Sequence, residues 1–483
     1  MALTAPQIQL DLIAPQLLLL AAALLLLLLP LFWRGVRREL LAAIAVLGLA
    51  AAFAAAAGLW TRPGTGFNGM VTLDRFALAF DGIFLLGGLL AVLISLNRVE
   101  DEYVQYGDFY GLLLLAVAGM TILTATLHLI IIFLGLELLS IALYVMIGFR
   151  KMRVDSTEAS LKYFLLGSFA TGFLLYGMAL IYGAAGTLDL QRIGAAVAAG
   201  SGGWMLLAGG MLLLIGFAFK AALVPFHMWT PDVYQGAPTP VTAFMSTATK
   251  AAAFAALARI VTTAMPFSAF NWSAILPVLA VLTMTVGNLL AITQENTKRM
   301  LAYSSIAHAG YLLVALSAGN AAGQSAILYY LVVYTLMNAG AFAVIAWFGR
   351  SNREERLTFA SYRGLGYRYP FASLAMAVFM FSLAGIPPTG GFLGKFYLFA
   401  AAVKAGQTPL VVIAVMNAVV SVYYYTRLVV HLYMREAEEP LEAEKLNPGL
   451  MAALLLALLG VLWLGVAPNG LMALFNAAAL AAM

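Results

Sequence analysis

The sequence predicts an all-α polytopic membrane protein with about fourteen transmembrane helices. Of its 483 residues, 63% are hydrophobic and only 10% are charged, whereas soluble domains contain far more charged residues. Apolar windows of about 20 residues, the length that crosses a bilayer, recur along the whole chain. The windows are 11–32, 39–60, 76–97, 109–126, 128–148, 158–183, 204–229, 240–264, 272–293, 299–317, 324–348, 370–400, 408–433 and 449–470.

The first window overlaps an N-terminal segment, Met1–Pro30, that has the length and apolar character of a signal peptide. It lacks the basic region with which a signal peptide begins. Its apolar run, Leu17–Leu29, leads instead into Arg34, Arg37 and Arg38. We therefore expect a first membrane helix that is retained.

Lysines and arginines are distributed unevenly over the turns between the windows. Sixteen of the 26 lie on turns that follow odd-numbered windows, six lie within windows, and four lie on the remaining turns. These four are Arg62, Arg75, Arg192 and Lys404. Because basic turns face the cytoplasm, both termini are predicted on the outer, periplasmic side. The net charge of +5 reflects this bias, and we expect no nucleic-acid partner.

Two windows contain both a lysine and a helix-breaking proline. Lys220 precedes Pro225 in the seventh window, and Lys395 follows Pro387–Pro388 in the twelfth. A charged side chain at the centre of a bilayer costs about 3 kcal/mol or more. Proline frees backbone groups that need new partners, and discontinuous helices mark ion sites. Two such helices predict movement of ions or protons through the protein.

Glu137 is the acid that lies most clearly inside a window. Burial favours the neutral form of a lysine, and a neighbouring carboxylate favours its charged form. If Lys220 is alternately paired with Glu137 and separated from it, the lysine can bind and release a proton. The alternatives are a purely structural role for Glu137 and an ammonium of Lys220 that reaches the membrane surface.

Lys250 and His308 lie inside windows among hydroxyl-bearing side chains. Lys250 follows a polar run, Thr239–Thr249, and His308 lies in Ala302–Ala315 together with tyrosines and serines. An ammonium and hydroxyls at one depth can hold ordered water. A histidine with hydroxyl neighbours can relay protons, although a lone histidine is more often a packing residue.

Two further residues are candidates with clear structural alternatives. His227 follows Lys220 by seven residues, so both side chains share a helix face if the break permits. Lys162 lies one turn after Glu158, which is the spacing of an i,i+4 ion pair at the membrane surface.

Several classes of site are excluded by composition. The chain contains no cysteine, which excludes disulfides, thiolate metal sites and cysteine-ligated iron–sulfur clusters. Its four histidines, His128, His227, His308 and His431, show no metal-ligand spacing. Motifs for nucleotide binding and nucleophilic catalysis are also absent from the sequence.

Four segments resemble the antiporter-like membrane subunits of the proton-pumping NADH:quinone oxidoreductase, respiratory complex I. They are Val224–Pro240, Val241–Lys250, Gln294–His308 and Ser382–Phe396. This family is similar to the subunits of Mrp-type cation/proton antiporters. Within it the chain resembles the subunit N branch, because subunit L carries additional C-terminal helices and subunit M typically has glutamate where Lys395 stands.

The resemblance implies two inverted five-helix repeats, in which helices 7 and 12 are broken. The chain would then form a single transmembrane domain, 1–483. Its parts would be helices 1–3 in 1–105, a first repeat of helices 4–8 in 106–265, a second repeat of helices 9–13 in 266–435, and helix 14 in 436–483.

The resemblance also implies a proton route that is coupled to quinone reduction elsewhere in the complex. Glu137 and Lys220 match the family's coupled pair, Lys250 its central residue, and Lys395 its terminal residue at the exit. The less certain members are Lys162, His227, Lys298 and His308.

Partners and cofactors follow from the same resemblance. We expect no cofactor in this chain, and NADH, FMN, iron–sulfur clusters and quinone in partner subunits. The partners would be neighbouring membrane subunits of complex I and lipids, in the inner membrane of a bacterial cell. Two alternatives stay open: a subunit of an Mrp-type Na⁺/H⁺ antiporter, and a structural spacer whose buried lysines only organise the helices.

Overall fold

Helices make up nearly the whole structure, a computed structural model that describes residues 9–33, 35–96, 106–200, 203–266, 270–348, 350–351, 354–436 and 446–480. The α-helices in these ranges are α1 (Ala14–Phe32), α2 (Arg38–Leu59), α3 (Arg75–Ser95), α4 (Tyr106–Thr124), α5 (Leu129–Ile147), α6 (Val154–Ala185), α7 (Leu190–Ala198), α8 (Gly203–Ala221), α9 (Trp229–Gly236), α10 (Thr239–Phe244), α11 (Lys250–Arg259), α12 (Trp272–Ile292), α13 (Thr297–Leu316), α14 (Ala321–Phe348), α15 (Leu365–Arg368), α16 (Pro370–Ala384), α17 (Gly390–Lys404), α18 (Thr408–Met434), α19 (Pro448–Val466) and α20 (Asn469–Leu480).

The prediction of an all-α polytopic membrane protein is confirmed. Within the described ranges, 12 helical segments are long and apolar enough to cross a membrane. The helix of the tenth predicted window, α13, is not among them because its sequence is more polar. The twelfth window is also not among them because it is divided between α16 and α17, of 15 residues each. The number fourteen and the inverted repeats therefore stay predictions.

Short elements that the sequence did not predict join the long helices. Strands β1 (Gly64–Gly66) and β2 (Val71–Leu73) form an antiparallel hairpin, and β3 (Arg350–Ser351) pairs with β4 (Glu354–Glu355). The helices α7 and α20 are also additions. A 3₁₀ turn, Leu10–Ile13, leads directly into α1.

Some of the residues on which the predicted orientation depends lie outside the part of the chain that the structure describes. Both chain ends, 1–8 and 481–483, lie outside the described residues. The same holds for Arg34, Arg98, Arg353 and Lys445, which are four of the sixteen basic residues counted on one side.

The centre of the bundle consists of α14 and the continuous span Thr239–Ala264, which includes α10 and α11. In both, 94% of the most apolar 18-residue window is buried. Helix α14 packs against α3, α10, α13, α16, α17, α19 and α20. By contrast, α1, α6 and α19 bury only 33% of their windows and present apolar side chains outward. The polar side chains of the central helices are thus enclosed by protein.

The seventh window is broken, as predicted, but the helix ends earlier than expected. Helix α8 ends at Ala221, so the predicted end at residue 229 is wrong. Ala222 adopts a left-handed conformation with φ of 59°. The amide of Leu223 donates to the carbonyl of Ala218 and that of Ala222 to Phe219, which is a Schellman motif. The chain then runs without helix until α9 begins.

The twelfth window is interrupted by the same motif. Gly385, with φ of 88°, follows the end of α16. The amide of Ile386 donates to the carbonyl of Phe381, and that of Gly385 to Ser382. Both broken helices therefore leave the carbonyl of their last residue, Ala221 or Ala384, outside the capping bonds.

Gly391 holds the two halves of the twelfth window together. Its amide donates to Ser382 Oγ at 3.2 Å, and an added Cβ would lie 1.9 Å from the carbonyl oxygen of Ser382. We expect Gly391→Ala to force α16 and α17 apart and to lower the free energy of unfolding by about 1–3 kcal/mol. Thermal unfolding in detergent measures this effect, with Gly172→Ala as the control, because a Cβ there meets nothing within 4 Å. Equal midpoints for the two variants would contradict the close-packing explanation.

Candidate functional site

Lys220 lies in the last turn of α8, inside the protein. Its Nζ donates to Ser140 Oγ on α5 at 2.7 Å. The rings of Tyr163 and Tyr144 lie 5.2 Å and 5.7 Å from Nζ, within the range of cation–π attraction. The ammonium is thus held within the bundle and does not extend along the helix to the membrane surface.

Glu137 lies one turn before Ser140 on the same face of α5, but it does not contact Lys220. No ion pair within 4.0 Å joins the two charged groups. Glu137 Oε1 instead accepts a hydrogen bond of 2.8 Å from Thr171 Oγ1 on α6, and its side chain is only half-buried. Glu137 lies in the middle of α5, well inside the membrane span as predicted, but it is not enclosed by this chain. In this structure Lys220 therefore bonds to Ser140, and Glu137 to Thr171.

Ser140 was missed by sequence reasoning. The signal that could have found it is its spacing of three residues from Glu137, which places both side chains on one face of a predicted helix.

Lys250 connects the end of α8 with α13. It follows a π-helical turn, Met245–Thr249, and such turns are frequent at functional sites. Its Nζ donates to the carbonyl of Ser305 at 2.8 Å and to that of Ala221 at 3.3 Å. Ala221 is the last residue of α8, adjacent to Lys220. The central position predicted for Lys250 thus corresponds to a bridge between two helices.

His308 lies on α13, one turn after Ser305, and is completely enclosed. Its Nε2 is 2.9 Å from the hydroxyl of Tyr425 on α18, and its Nδ1 hydrogen-bonds with the hydroxyl of Tyr330 on α14. The Tyr425 hydroxyl also hydrogen-bonds with Ser304. Hydroxyl partners were expected, but Tyr330 and Tyr425 come from distant parts of the chain, so local sequence could not identify them.

Lys395 lies on α17 and binds the end of α16. Its Nζ donates to the carbonyls of Leu383 at 2.9 Å and Ala384 at 3.0 Å. A cation is favourable there because the C-terminal end of a helix carries partial negative charge. The ring of Tyr311 lies 4.9 Å from Nζ. Since Lys250 binds Ala221, the last carbonyl of each broken helix accepts a hydrogen bond from a buried lysine.

These residues follow one another through the protein, some joined by hydrogen bonds and others only neighbours on one helix, and we call the series the polar axis. The ring of His308 lies 5.5 Å from that of Tyr311, and the Tyr311 ring lies 4.9 Å from Lys395 Nζ. The two rings therefore lie between Lys250 and Lys395. In order, the polar axis consists of Glu137, Ser140, Lys220, Lys250, Ser305, His308, Tyr311 and Lys395.

Lys162 lies away from the polar axis. Its Nζ contacts Glu158 at 2.7 Å and Asp232 on α9 at 2.9 Å, so the i,i+4 ion pair is confirmed. Asp232 also accepts a hydrogen bond of 2.7 Å from Arg299 on α13. The Nζ of Lys298 donates to the carbonyl of Ala237 at 3.1 Å. Lys162, Arg299 and Lys298 therefore anchor the segment that follows the break in the seventh window.

His227 lies in the non-helical segment between α8 and α9. Because the helix ends at Ala221, the prediction that His227 and Lys220 share a helix face is wrong. The Nδ1 atom of His227 is buried without a hydrogen-bond partner among the described residues. Across all the residues that the structure describes, no group of three or more acidic or histidine side chains could hold a metal ion.

The chain was compared with known proteins by sequence. The family model described as "NADH:quinone oxidoreductase/Mrp antiporter, TM" matches residues 126–421. NADH-quinone oxidoreductase subunit N of Trichlorobacter lovleyi is 48% identical over 464 residues, which are 96% of this chain and 95% of that protein. The subunit N of Chloroflexus aggregans is 44% identical over 480 residues and covers 98% of both chains.

Solved structures give the same relationship. A chain of respiratory complex I from Thermus thermophilus with bound aureothin superposes with a TM-score of 0.83 at 38% identity, covering 96% of this chain and all of that one. A chain of the Mrp complex from Dietzia sp. superposes with the same TM-score at 23% identity, over 98% and 97% of the two chains; this likeness concerns the fold alone. The chain therefore belongs to the NADH:quinone oxidoreductase/Mrp antiporter family of membrane proteins, and within it to the NADH-quinone oxidoreductase subunit N branch.

Proposed function

We propose that the chain translocates protons along the polar axis, as a membrane subunit of a bacterial NADH:quinone oxidoreductase. The observation that carries the proposal is the bridge formed by Lys250, which hydrogen-bonds to both Ala221 and Ser305. This bridge makes a polar connection between the end of the broken helix α8 and the neighbouring helix α13, inside an apolar bundle. The relatives named as subunit N support the assignment to the oxidoreductase.

The buried lysines have the surroundings that proton carriers need. No acidic side chain in the described ranges lies within 4.0 Å of Lys220, Lys250 or Lys395. Their partners are a hydroxyl and backbone carbonyls, which accept a hydrogen bond without fixing the charge as a carboxylate does. A lysine in this setting can lose its proton, which an arginine cannot do.

Coupling to the rest of the complex would enter at Glu137. Its half-buried side chain lies at the outer face of α5 and α6, where an adjoining membrane subunit can reach it. A charge change in that subunit would move Glu137 between Thr171 and Lys220. When the carboxylate of Glu137 approaches or leaves Lys220, the proton affinity of Lys220 would change. This change would act on Lys250, which bonds to Ala221 next to Lys220, and Lys250 would pass a proton towards Lys395.

The free energy from a change in lysine pairing is comparable with the cost of moving a proton against the membrane potential. Moving one charge against 100 mV costs about 2.3 kcal/mol. A change of two pKa units at one group corresponds to about 2.7 kcal/mol. A change in the pairing of one lysine can therefore support translocation of one proton.

The proposal extends to the assembly. NADH, FMN, iron–sulfur clusters and quinone would be bound by partner subunits, and lipids would cover the outward apolar faces. Both termini would lie on the periplasmic side of the inner membrane. The repeats would comprise residues 106–265 and 266–435, with helices 1–3 before them and helix 14 after them.

A second candidate is a subunit of an Mrp-type Na⁺/H⁺ antiporter, which the shared fold with the Dietzia complex favours. Purification of the native assembly separates the two. Co-purification with flavin and iron–sulfur subunits supports the oxidoreductase, and co-purification with antiporter subunits alone supports the second candidate.

The coupling role of Glu137 gives a direct test. We expect Glu137→Gln to reduce proton translocation about tenfold, with the complex still assembled; this is less than the roughly 10²–10⁴-fold effect of groups that transfer the proton themselves, because Glu137 acts through Lys220. Lys220→Ala should have a similar effect, and Glu137→Asp a smaller one because the charge is retained. Proton uptake by vesicles during NADH oxidation measures each variant. Glu158→Gln is the control, because it removes an acid that pairs with Lys162 away from the polar axis; equal activity of Glu137→Gln and this control would reject the coupling role.

A further inference from the structure

A second group of buried polar side chains lies outside the polar axis, between α1, α3, α4 and α11. At its centre is Asp81 on α3, which is 0% exposed. Thr124 Oγ1 on α4 donates to Asp81 Oδ1 at 3.1 Å. The other carboxyl oxygen, Oδ2, has no hydrogen-bond partner among the described residues. Among the described residues, Asp81 rather than Glu137 is therefore the acid that the protein encloses completely.

The nearby cation is already neutralised by another acid. Arg259 at the end of α11 forms two parallel hydrogen bonds with Asp74, at 2.9 Å and 2.7 Å. Its Nη2 also donates to the carbonyl of Thr124 at 2.9 Å. Such a bidentate pair is strong and fixed in geometry. Asp81 thus lies beside a neutral ion pair and forms no ion pair of its own in the described part of the chain.

Two other buried atoms around the same turn of α4 also lack partners. Gln16 on α1 donates from Nε2 to the carbonyl of Thr121 at 3.2 Å, and its Oε1 is unpartnered. Arg259 Nε is unpartnered as well. Buried polar atoms are normally satisfied, and bound water does this where the protein does not. Three such atoms around Thr121 and Thr124 are suited to bind internal water.

The position of Asp81 connects the polar axis with one membrane surface. Two turns further along α3, an added Cβ on Gly87 would lie 2.9 Å from Ala248 Cβ and 3.6 Å from Thr247 Oγ1. These residues directly precede Lys250. At the other end, Asp74 caps the start of α3 and its side chain is 15% exposed. Asp81 therefore lies between the level of Lys250 and the surface at which α3 begins.

We propose that Asp81 is a proton-binding residue on an outward branch of the route, between Lys250 and the Asp74–Arg259 pair. The inference rests on the proposed function. The Asp81 carboxylate takes a proton that water relays from the Lys250 ammonium; an N–H bond of the lysine breaks, which leaves a neutral amine, and the O–H bond of a carboxylic acid forms. That bond breaks when the proton passes to water beside Asp74 at the surface. By the distribution of basic residues, this surface is the outer one.

A carboxyl group suits this role in its setting. An isolated carboxylate is costly inside a membrane protein, whereas the neutral acid is tolerated. The hydroxyl of Thr124 can serve both forms, because it can donate to a carboxylate and accept from a carboxylic acid. Asp81 can therefore change protonation state without the loss of its protein partner.

Asp81→Asn in the assembled complex tests the proposal. Asparagine keeps the shape and the hydrogen bond from Thr124 but cannot carry a proton. We expect the loss of part of the protons translocated per NADH oxidised, because the exit at Lys395 stays open, and partial recovery in Asp81→Glu. The control is Ser95→Ala, a buried polar residue of the same helix that bonds to Val92 and Tyr110. An unchanged ratio in Asp81→Asn would overturn the proposal.

Infrared difference spectroscopy during turnover gives an independent measurement. The C=O stretch of a protonated carboxyl should respond to turnover, disappear in Asp81→Asn and persist in Glu137→Gln. If Asp81→Asn fails to assemble, Thr124→Val should still shift this band, because it removes the hydrogen bond to Asp81. A band that neither variant affects would reject Asp81 as the proton-binding group.

Substitutions in the polar axis and at Asp81 together show whether the Asp81 branch alone is wrong or the polar axis as a whole. If Lys395→Arg stops translocation and Asp81→Asn leaves it unchanged, only the outward branch is wrong. If Lys250→Ala translocates protons normally, the polar axis itself is rejected, whatever the result for Asp81.

Discussion

Replacement of Lys395 by arginine is expected to stop most of the proton translocation, leaving only the part carried by the Asp81 branch, while the complex still assembles. Arginine keeps the positive charge that binds the carbonyls of Leu383 and Ala384, but it cannot release its proton. A residue that only anchored the end of α16 would tolerate this change. A dye that reports acidification of vesicles during NADH oxidation measures the effect.

The matched control for this variant is Lys404→Arg. Lys404 lies on the same helix but is exposed at its end. We expect the control to behave like the unaltered protein. Equal acidification by Lys395→Arg and Lys404→Arg would mean that Lys395 is a structural cation.

Lys250→Ala is expected to have a similarly large effect, about a hundredfold or more on translocation, because Lys250 carries the proton itself. The substitution removes the ammonium that connects Ala221 and Ser305, and no other side chain bridges the same two carbonyls in the described structure. Two buried carbonyls lose a donor, so we also expect the free energy of unfolding to decrease by about 1–3 kcal/mol. Acidification assays and thermal unfolding measure the two effects separately.

Thr262→Ala serves as the control for Lys250→Ala. Thr262 lies in the same membrane span, and its hydroxyl donates only to the carbonyl of Ala258, away from the polar axis. This variant should lose little translocation. If Lys250→Ala resembled it, the buried lysines would organise the helices without carrying protons, which is the structural-spacer alternative.

Composition and periodicity were sufficient to predict the fold class. The apolar windows correspond to helices because a bilayer requires long segments whose backbone groups are satisfied internally. The breaks at Pro225 and at Pro387–Pro388 were also predictable, since proline cannot continue a helix. The end of α8 at Ala221 was not, because a left-handed alanine at position 222 leaves no composition signal.

The site was only partly predictable. Lysines inside apolar windows can be recognised as candidates from the sequence, because a charged side chain has a high free-energy cost there. Their partners are mostly backbone carbonyls and residues from distant helices, such as Tyr425 for His308. These contacts depend on how the helices pack, which local sequence does not encode.

The burial of Asp81 was also not predictable from the sequence. Its position near the start of a predicted window suggested nothing unusual, while Glu137 lay at the centre of its window. In the folded protein α3 is covered by α4, α11 and α14, whereas α5 faces outward on one side. Burial of an acid is thus decided by the surrounding helices rather than by its position along its own helix.

The number of protons translocated per NADH oxidised, measured on the same vesicles for Lys250→Ala and Thr262→Ala, tests the central claim most directly. The ratio separates transport through the polar axis from any general loss of enzyme, because both quantities come from the assembled complex that remains. If protons pass along the polar axis, the ratio decreases in Lys250→Ala and is unchanged in Thr262→Ala. An undiminished ratio in Lys250→Ala, at whatever rate of NADH oxidation, would contradict the account.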